Sequence, residues 1–259
     1  MESKILSQRE IRRYAKQIML GDVGIGGQEK LKKARVLVVG AGGLGCAVLQ
    51  YLTVSGIGSI GIAEFDMVNE SNLQRQVLYG SNDVGKLKSV IAKNRLENLN
   101  GLVRFDVFNL RIDASNSARI FGDWDIIVDA TDNLETRYVI NDSCVLLNKP
   151  MVHGSIYMYE GTVSVFNYRG GATYRCFNPQ PGRNDQIVPP PENIGLFGVL
   201  PGITGTLMAN EVIKIITGIG EVLGGKVLVF NIMKYSFRIF RVNNIPGNHN
   251  TGGMGKTIA

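Results

Sequence analysis

Two histidines, three cysteines, eight prolines and one tryptophan are all that a chain of 259 residues holds of those types. The thiols, Cys46, Cys144 and Cys176, are far apart and odd in number, which argues against a disulfide framework and for a reducing compartment, the cytoplasm. His153 and His249 stand too far apart in the chain to form a ligand-spaced pair. Basic residues form no long run. Lys and Arg number 28 against 22 Asp and Glu, a net charge of +6, with a pI near 9.2. Scattered in this way, the excess suits a solvated surface, an acidic protein partner or a polyphosphate, and no nucleic-acid partner is expected. The opening segment MESKILSQREIRRYAKQ lacks the apolar core of a signal peptide. With 44% hydrophobic residues the chain is too apolar to be disordered, and its 32 glycines follow no collagen period.

Charge is also absent from Val36 to Ala63, a stretch long enough to span a bilayer. It nevertheless holds glycines at 40, 42, 43, 45, 56, 58 and 61, together with Gln50, Thr53, Ser55 and Ser59. That pattern reads as strand, turn, helix and strand buried in an α/β protein, where parallel strands are apolar on both faces. No membrane span is expected.

The wider pattern predicts a doubly wound, Rossmann-like, mostly parallel sheet continued by antiparallel strands. Residues 1–33 read as a helical segment interrupted at Gly21–Gly27, and 34–150 as the nucleotide-binding part. Within that part, strands fall at Arg35–Val39, Ser59–Phe65, Val103–Val107 and Asp125–Asp129. Helices fall at Cys46–Ser55, Gly85–Asn98, Asp113–Phe121 and Asn133–Leu147. Residues 151–245 form a further part, with strands at Met151–Ser155, Gly161–Asn167, Lys226–Phe230 and Ser236–Val242 and a helix at Gly205–Thr217. Five prolines mark a long mobile loop over 168–195, and 246–259 reads as a flexible tail.

Gly40-Ala41-Gly42-Gly43-Leu44-Gly45 fits G-x-G-x-x-G directly after a strand and before a helix, a turn whose backbone N–H groups can hold phosphate. Glu64 and Asp66 follow at the end of the next strand, where a ribose hydroxyl would be accepted. This much also fits a nicotinamide-dependent oxidoreductase. The segments that follow favour other chemistry. Ser71-Asn72-Leu73-Gln74-Arg75-Gln76 places a guanidinium near the turn, Lys86 and Lys88 open the next helix, and Asp129-Ala130-Thr131-Asp132-Asn133 joins a strand end to a helix. Cations with an added carboxylate suit phosphoryl or nucleotidyl transfer: Arg75 and Lys88 to neutralise charge on phosphorus, Asp132 to hold Mg²⁺. Taken singly, each cation could be a surface charge and Asp132 an N-cap.

With RYAKQI (13–18), VGKLK (84–88), GVLPGITG (198–205) and NEVIK (210–214) added to these blocks, the sequence resembles the ThiF/MoeB/HesA adenylyltransferases, bacterial relatives of the ubiquitin-activating enzymes. The resemblance spans residues 13 to about 242. It implies ATP and Mg²⁺, a small ubiquitin-like sulfur carrier (ThiS- or MoaD-like) ending in Gly-Gly, adenylylation of its terminal carboxylate, and a role in thiamine or molybdopterin biosynthesis. It also implies a homodimer in which Arg13 and Lys16 of one subunit reach the ATP of the other. Lys16 replaces the arginine usual in the family, keeping the charge and losing the planar fork. By the same resemblance Gly42 and Gly43 lie against the phosphates and Glu64 with Asp66 at the ribose. Asn72, Arg75 and Lys88 contact phosphate, Asp132 binds Mg²⁺, and Asn133 flanks it.

Two departures stand out. The zinc-binding C-x-x-C pairs of many members read Thr173–Cys176 and Asn248–Thr251 here, so no structural zinc is expected. Pro191 stands where several relatives carry a loop cysteine, which removes a covalent step at that position. The alternatives are adenylylation of another protein or peptide carboxylate, and a non-catalytic carrier-docking homologue.

Overall fold

The computed structural model describes residues 5–179 and 195–249. The N-terminal helices are α1 (Gln8–Arg13), α2 (Ala15–Ile18) and α3 (Gly24–Lys33). Ser7 starts α1 with a capping box: its hydroxyl accepts from Glu10 N–H, while the Glu10 carboxylate accepts from Ser7 N–H at 2.7 Å. Gly24, Gly26 and Gly27 lie inside α3 rather than breaking it, and the interruption falls at 19–23. Contact with a distant segment holds this stretch: a Cβ on Gly27 would stand 3.8 Å from the Thr217 methyl carbon, as well as 2.9 Å from a methyl carbon of Val23 one turn back, and Lys30 donates to the Thr217 carbonyl at 2.8 Å.

The strands are β1 (Arg35–Val39), β2 (Ser59–Ala63), β3 (Arg104–Phe108), β4 (Ile126–Asp129), β5 (Met151–Tyr157), β6 (Glu160–Phe166), β7 (Lys226–Asn231) and β8 (Ser236–Arg241). They form one sheet in the order β3-β2-β1-β4-β5-β6-β7-β8. Pairings from β3 to β5 are parallel and those from β5 to β8 antiparallel, as the alternation predicted. Valine and isoleucine fill β1, β2 and β4 because both faces are covered, whereas β8 at the edge is mostly exposed.

The connecting helices are α4 (Gly43–Ser55), α5 (Lys88–Leu99), α6 (Ser117–Phe121), α7 (Leu134–Leu146), α8 (Tyr174–Phe177) and α9 (Leu200–Thr217). Several starts differ from expectation. Helix α4 begins inside the glycine turn, and α5 begins at Lys88, leaving Lys86 in the preceding turn. Helix α6 begins at Ser117 because Asp113 instead folds a turn, accepting from Ser115 and Asn116. Helix α9 begins five residues earlier than Gly205, with proline in its first turn, where the missing N–H costs nothing. Gly205 lies in its middle, where a Cβ would come within 2.4 Å of the Leu44 carbonyl oxygen, so the glycine lets α9 pack directly on α4.

The stretch expected as a mobile loop from residue 168 is ordered at its start: Tyr168–Gly170 is a 3₁₀ turn and Tyr174–Phe177 is α8. Residues 180–194, including Pro191, lie outside the described residues. The expected tail begins with a 3₁₀ turn at Pro246–His249, and the remainder of it is likewise outside. Among the described residues, no helix is long and apolar enough to cross a membrane.

Candidate nucleotide-binding and active site

The strand order reverses direction between β1 and β4. From β1 the chain winds outward through β2 to β3, then returns to start β4 on the other side. In open α/β sheets such a switch point leaves a crevice beyond the strand ends. The glycine turn follows β1 there and DATDN follows β4. They touch: Gly40, at φ +94°, has the Ala130 carbonyl oxygen 2.7 Å from where a Cβ would stand. A side chain at 40 is thus excluded both by backbone conformation and by space.

Other segments close over the turn. A Cβ on Gly43 would meet Pro201 at 2.9 Å and the Arg75 stem at 3.6 Å, and one on Gly42 would meet the Gln76 side-chain amide at 3.5 Å. Gly198 lies against Gln74 in the same way. Glycine turn, SNLQRQ and GVLPG therefore meet at the N-terminus of α4, where N–H groups and the helix dipole favour an anion.

The side chains around this point divide by what already holds them. Glu64 is buried: one carboxylate oxygen accepts from Ala41 N–H, the other from Phe65 and Asp66 N–H, all at 2.9 Å. It braces the turn, with lone pairs left for a ribose hydroxyl. Tyr79, a buried phenol pushed well up by burial, donates to the Ala41 carbonyl at 2.8 Å. Lys88 opens α5 with its side chain only 6% exposed and its ammonium 3.2 Å from the carboxylate of the half-exposed Asp66. Arg75 is half-buried and donates to the Ser71 carbonyl at 3.1 Å, which leaves the rest of its guanidinium fork available. Asn72 ends a 3₁₀ turn whose carbonyl accepts from Arg75 and Gln76 N–H.

At the other lip, the N-cap of α7 is Asn133, whose Oδ1 accepts from Thr136 N–H at 2.9 Å. Asp132 does not cap the helix. It is exposed and makes no hydrogen bond or ion pair among the described residues. A free carboxylate at a phosphate crevice suits Mg²⁺, which takes one or two carboxylates and completes its shell from substrate oxygens and water. No group of three or more His, Cys, Asp or Glu among the described residues is arranged to hold a metal on its own.

Arg13 and Lys16 are not brought here. Both are exposed, Arg13 donating to the Leu99 carbonyl at 2.6 Å, and between them Tyr14 is hydrogen-bonded to Asn100, which also reaches the Thr53 carbonyl. That is the C-terminal end of α4, whose 13 residues set it roughly 20 Å from the glycine turn at its other end.

Sequence reasoning missed one pair. Asp129 is fully buried and its Oδ2 lies 2.7 Å from His153 Nδ1. Burial pushes the Asp129 carboxyl up, but the hydrogen bond from His153, the Arg137 charge and the Thr131 bonds hold it below the usual carboxylate range. Burial keeps His153 below its ordinary value despite Asp129, and because the Asp129 carboxylate is an acceptor, Nδ1 is the donor in their bond. The available signal was a charged or polar residue inside two apolar strands, DIIVD and MVHG.

At Thr173–Cys176 and Asn248, the segments read in the sequence as altered C-x-x-C pairs, hydrogen bonds join the chain. Thr173 Oγ1 lies 3.4 Å from Cys176 Sγ and donates to the Asn248 carbonyl, Ile245 N–H donates to Cys176 Sγ, and Asn248 Nδ2 donates to the Arg175 carbonyl. These bonds fix the start of the tail.

The fold and crevice define a doubly wound α/β protein with a nucleotide-type turn at its switch point and cations beside it. Comparison narrows the class. A model of the ThiF family matches residues 14–250, and the chain belongs to that family. A sulfur carrier protein adenylyltransferase of Thermus thermophilus is 45% identical over 245 residues, covering 93% of this chain and 90% of that protein. A probable molybdopterin-synthase adenylyltransferase of Porphyra purpurea is 45% identical over 236 residues, covering 91% of this chain and 62% of that one. The microcin C7 biosynthetic enzyme MccB, solved in complex with N-formylated MccA, is similar with a TM-score of 0.80 at 25% identity, covering 90% of this chain and 73% of that one. The chain is an adenylyltransferase.

Proposed function

We propose that this adenylyltransferase uses ATP to activate the C-terminal glycine carboxylate of a small ubiquitin-like sulfur carrier, ThiS- or MoaD-like, for molybdopterin or thiamine biosynthesis. The observation that carries the reading is the meeting of the Gly42–Gly43 turn with Arg75 on one lip of the crevice, while an uncommitted Asp132 stands on the other. The names of the relatives support the carrier.

A carrier carboxylate oxygen attacks the α-phosphorus, its bond to the β-phosphate oxygen breaks, and pyrophosphate leaves with the electron pair. The nucleophile belongs to the substrate, so the protein needs only to position the groups and neutralise charge. Arg75 and Lys88 face the developing phosphate charge, Asn72 adds a polar contact, and Glu64 with Asp66 orient the ribose. Asp132, flanked by Asn133, would hold Mg²⁺, which when bound offsets charge on the leaving pyrophosphate. Arg13 and Lys16 act on the nucleotide of a second subunit, since within their own chain they stand at the far end of α4. The exposed Met19, Leu20, Tyr51 and Val54 close to them supply apolar surface for that homodimer. The carrier docks on the antiparallel extension, where Tyr235, Phe237, Ile239 and Phe240 are exposed, and the net charge of +6 suits an acidic partner.

A second reading keeps the chemistry and changes the acceptor to another protein or peptide carboxylate, which the likeness to MccB in complex with N-formylated MccA favours. ATP–pyrophosphate exchange separates the two. Exchange dependent on a carrier ending in Gly-Gly, and lost in Asp132→Ala, supports the carrier. Exchange with no carrier, or unchanged in Asp132→Ala, overturns the reading.

A further inference from the structure

Asp129 is an expensive residue to place where it is. It ends β4 in the middle of the sheet, in register with Val39 of β1 and His153 of β5, and it is completely buried. An ionised carboxylate there must be fully hydrogen-bonded to be tolerated. Its bonds lead in one direction. Oδ1 accepts from both Thr131 N–H at 3.1 Å and Thr131 Oγ1 at 2.6 Å, and Oδ2 accepts from His153 Nδ1 at 2.7 Å. Arg137, reaching back from the first turn of α7, donates through Nη2 to the Thr131 carbonyl at 2.8 Å, with its Nε 3.9 Å from Asp129.

Every polar group of Thr131 is therefore held, and on the far side Asn133 is held by its cap bond to Thr136. Asp132 is the one residue between them, and its own side chain is left free. The imidazole cannot drift, because it is packed between Tyr174, with ring centroids 4.9 Å apart, and Phe166, at 5.8 Å. At 1% exposure His153 does not touch a substrate, and the side-chain hydrogen bond it makes among the described residues is to Asp129.

We infer that His153 is a positioning residue: acting through Asp129 and Thr131, with Arg137 as the second clamp, it fixes the turn that presents the Asp132 carboxylate to the crevice. This rests on the assignment of Asp132 under the proposed function. Groups that orient a metal-binding side chain from behind set metal affinity as well as rate, typically by tenfold to a hundredfold.

The test is calorimetric titration of Mg²⁺ into the full-length protein saturated with α,β-methylene-ATP, together with exchange kinetics. His153→Leu removes the donor, and His153→Asn restores one near the position of Nδ1. The expected result is Mg²⁺ affinity weakened roughly tenfold or more in His153→Leu, recovery toward wild type in His153→Asn, and a fall in kcat at little change in KM for ATP. A His153→Leu protein that melts earlier yet binds Mg²⁺ as tightly as wild type overturns the inference and leaves a core contact. If His153→Leu does not fold, Thr131→Val, which removes the Oγ1 bond at the rim, carries the same test and must weaken Mg²⁺ binding. Asp132→Ala separates the two levels. Lost Mg²⁺ binding in Asp132→Ala with intact binding in both His153→Leu and Thr131→Val refutes positioning alone, and intact binding in Asp132→Ala refutes the metal assignment and the positioning role with it.

Discussion

Replacing Lys88 with methionine separates catalysis from stability with one side chain. The Lys88 side chain is 6% exposed while that of its partner, Asp66, is 53% exposed. Removing the buried member leaves the remaining charge in water, so the large cost of orphaning a buried ion does not arise. A pair with one hydrated member contributes only about 0–1 kcal/mol. Methionine fills a similar volume, and volume-conserving swaps cost under about 1.5 kcal/mol. For a chain of this size each kcal/mol moves Tm by about 2–4 °C, so the melting temperature should shift by no more than about 10 °C. Loss of a cation aimed at charge developing on phosphorus should instead lower kcat about 10²–10³-fold, or about 3–4 kcal/mol. The assay is ATP–pyrophosphate exchange at 25 °C beside a thermal melt of the same sample. Exchange near the wild-type rate would refute the role. So would a collapse of Tm matched by a proportionate loss of folded protein, which would make Lys88 a structural ion-pair member.

Other consequences follow from the same packing and electrostatics. Gly205→Val drives a side chain toward the Leu44 carbonyl, 2.4 Å from the Cβ position. Overpacking of about 1–3 kcal/mol should lower Tm by roughly 2–12 °C, and an unchanged melt would contradict direct α4–α9 packing. Of the three thiols, burial pushes Cys46 up to about 12 and Cys144 further still, whereas Cys176 is half-exposed. For Cys176 the bonds from Thr173 and Ile245 outweigh burial and bring it below the ordinary value. An aromatic disulfide reagent at pH 8 should therefore titrate one thiol in the native protein and three after denaturation, and two fast native thiols would refute this. Burial raises the Glu10 carboxyl, but Lys32 at 2.7 Å and Ser7 more than offset it, so its folded pKa lies below its unfolded one. Its stabilisation is present above the unfolded value and is lost as pH falls through the folded one. Glu10→Gln should thus flatten the acid limb of stability against pH, and an identical limb would show that the pair contributes nothing.

Much of this arrangement was legible in the sequence because the local signals agree. In VLVVGAGGLG the β-branched run, the tight turn and the helix that follows each demand their residue types, and the observed β1, glycine turn and α4 match them. The class of the DATDN segment was equally plain from its place after an apolar strand. What failed was wherever a distant contact overrides a local preference. Glycines 24, 26 and 27 read as a helix break, yet α3 runs through them, with Lys30 tied to the Thr217 carbonyl at the end of α9. The cap of α7 fell one residue past Asp132, which frees that carboxylate. The Asp129–His153 bond spans 24 residues and exists only because parallel pairing puts those two strand positions level, which no local pattern announces. Arg13 and Lys16 were legible as charges and not as neighbours of anything, since their distance from the turn is set by the length of α4.

In the proposed function, the crevice between β1 and β4 holds the triphosphate for attack by a terminal carboxylate. A crystal structure with α,β-methylene-ATP and Mg²⁺ tests it most directly. Phosphate oxygens should lie over Gly42 and Gly43, with Arg75 and Lys88 turned onto them and Asp132 at the metal. A nucleotide seated elsewhere, with Arg75 and Asp132 facing away from it, would contradict it.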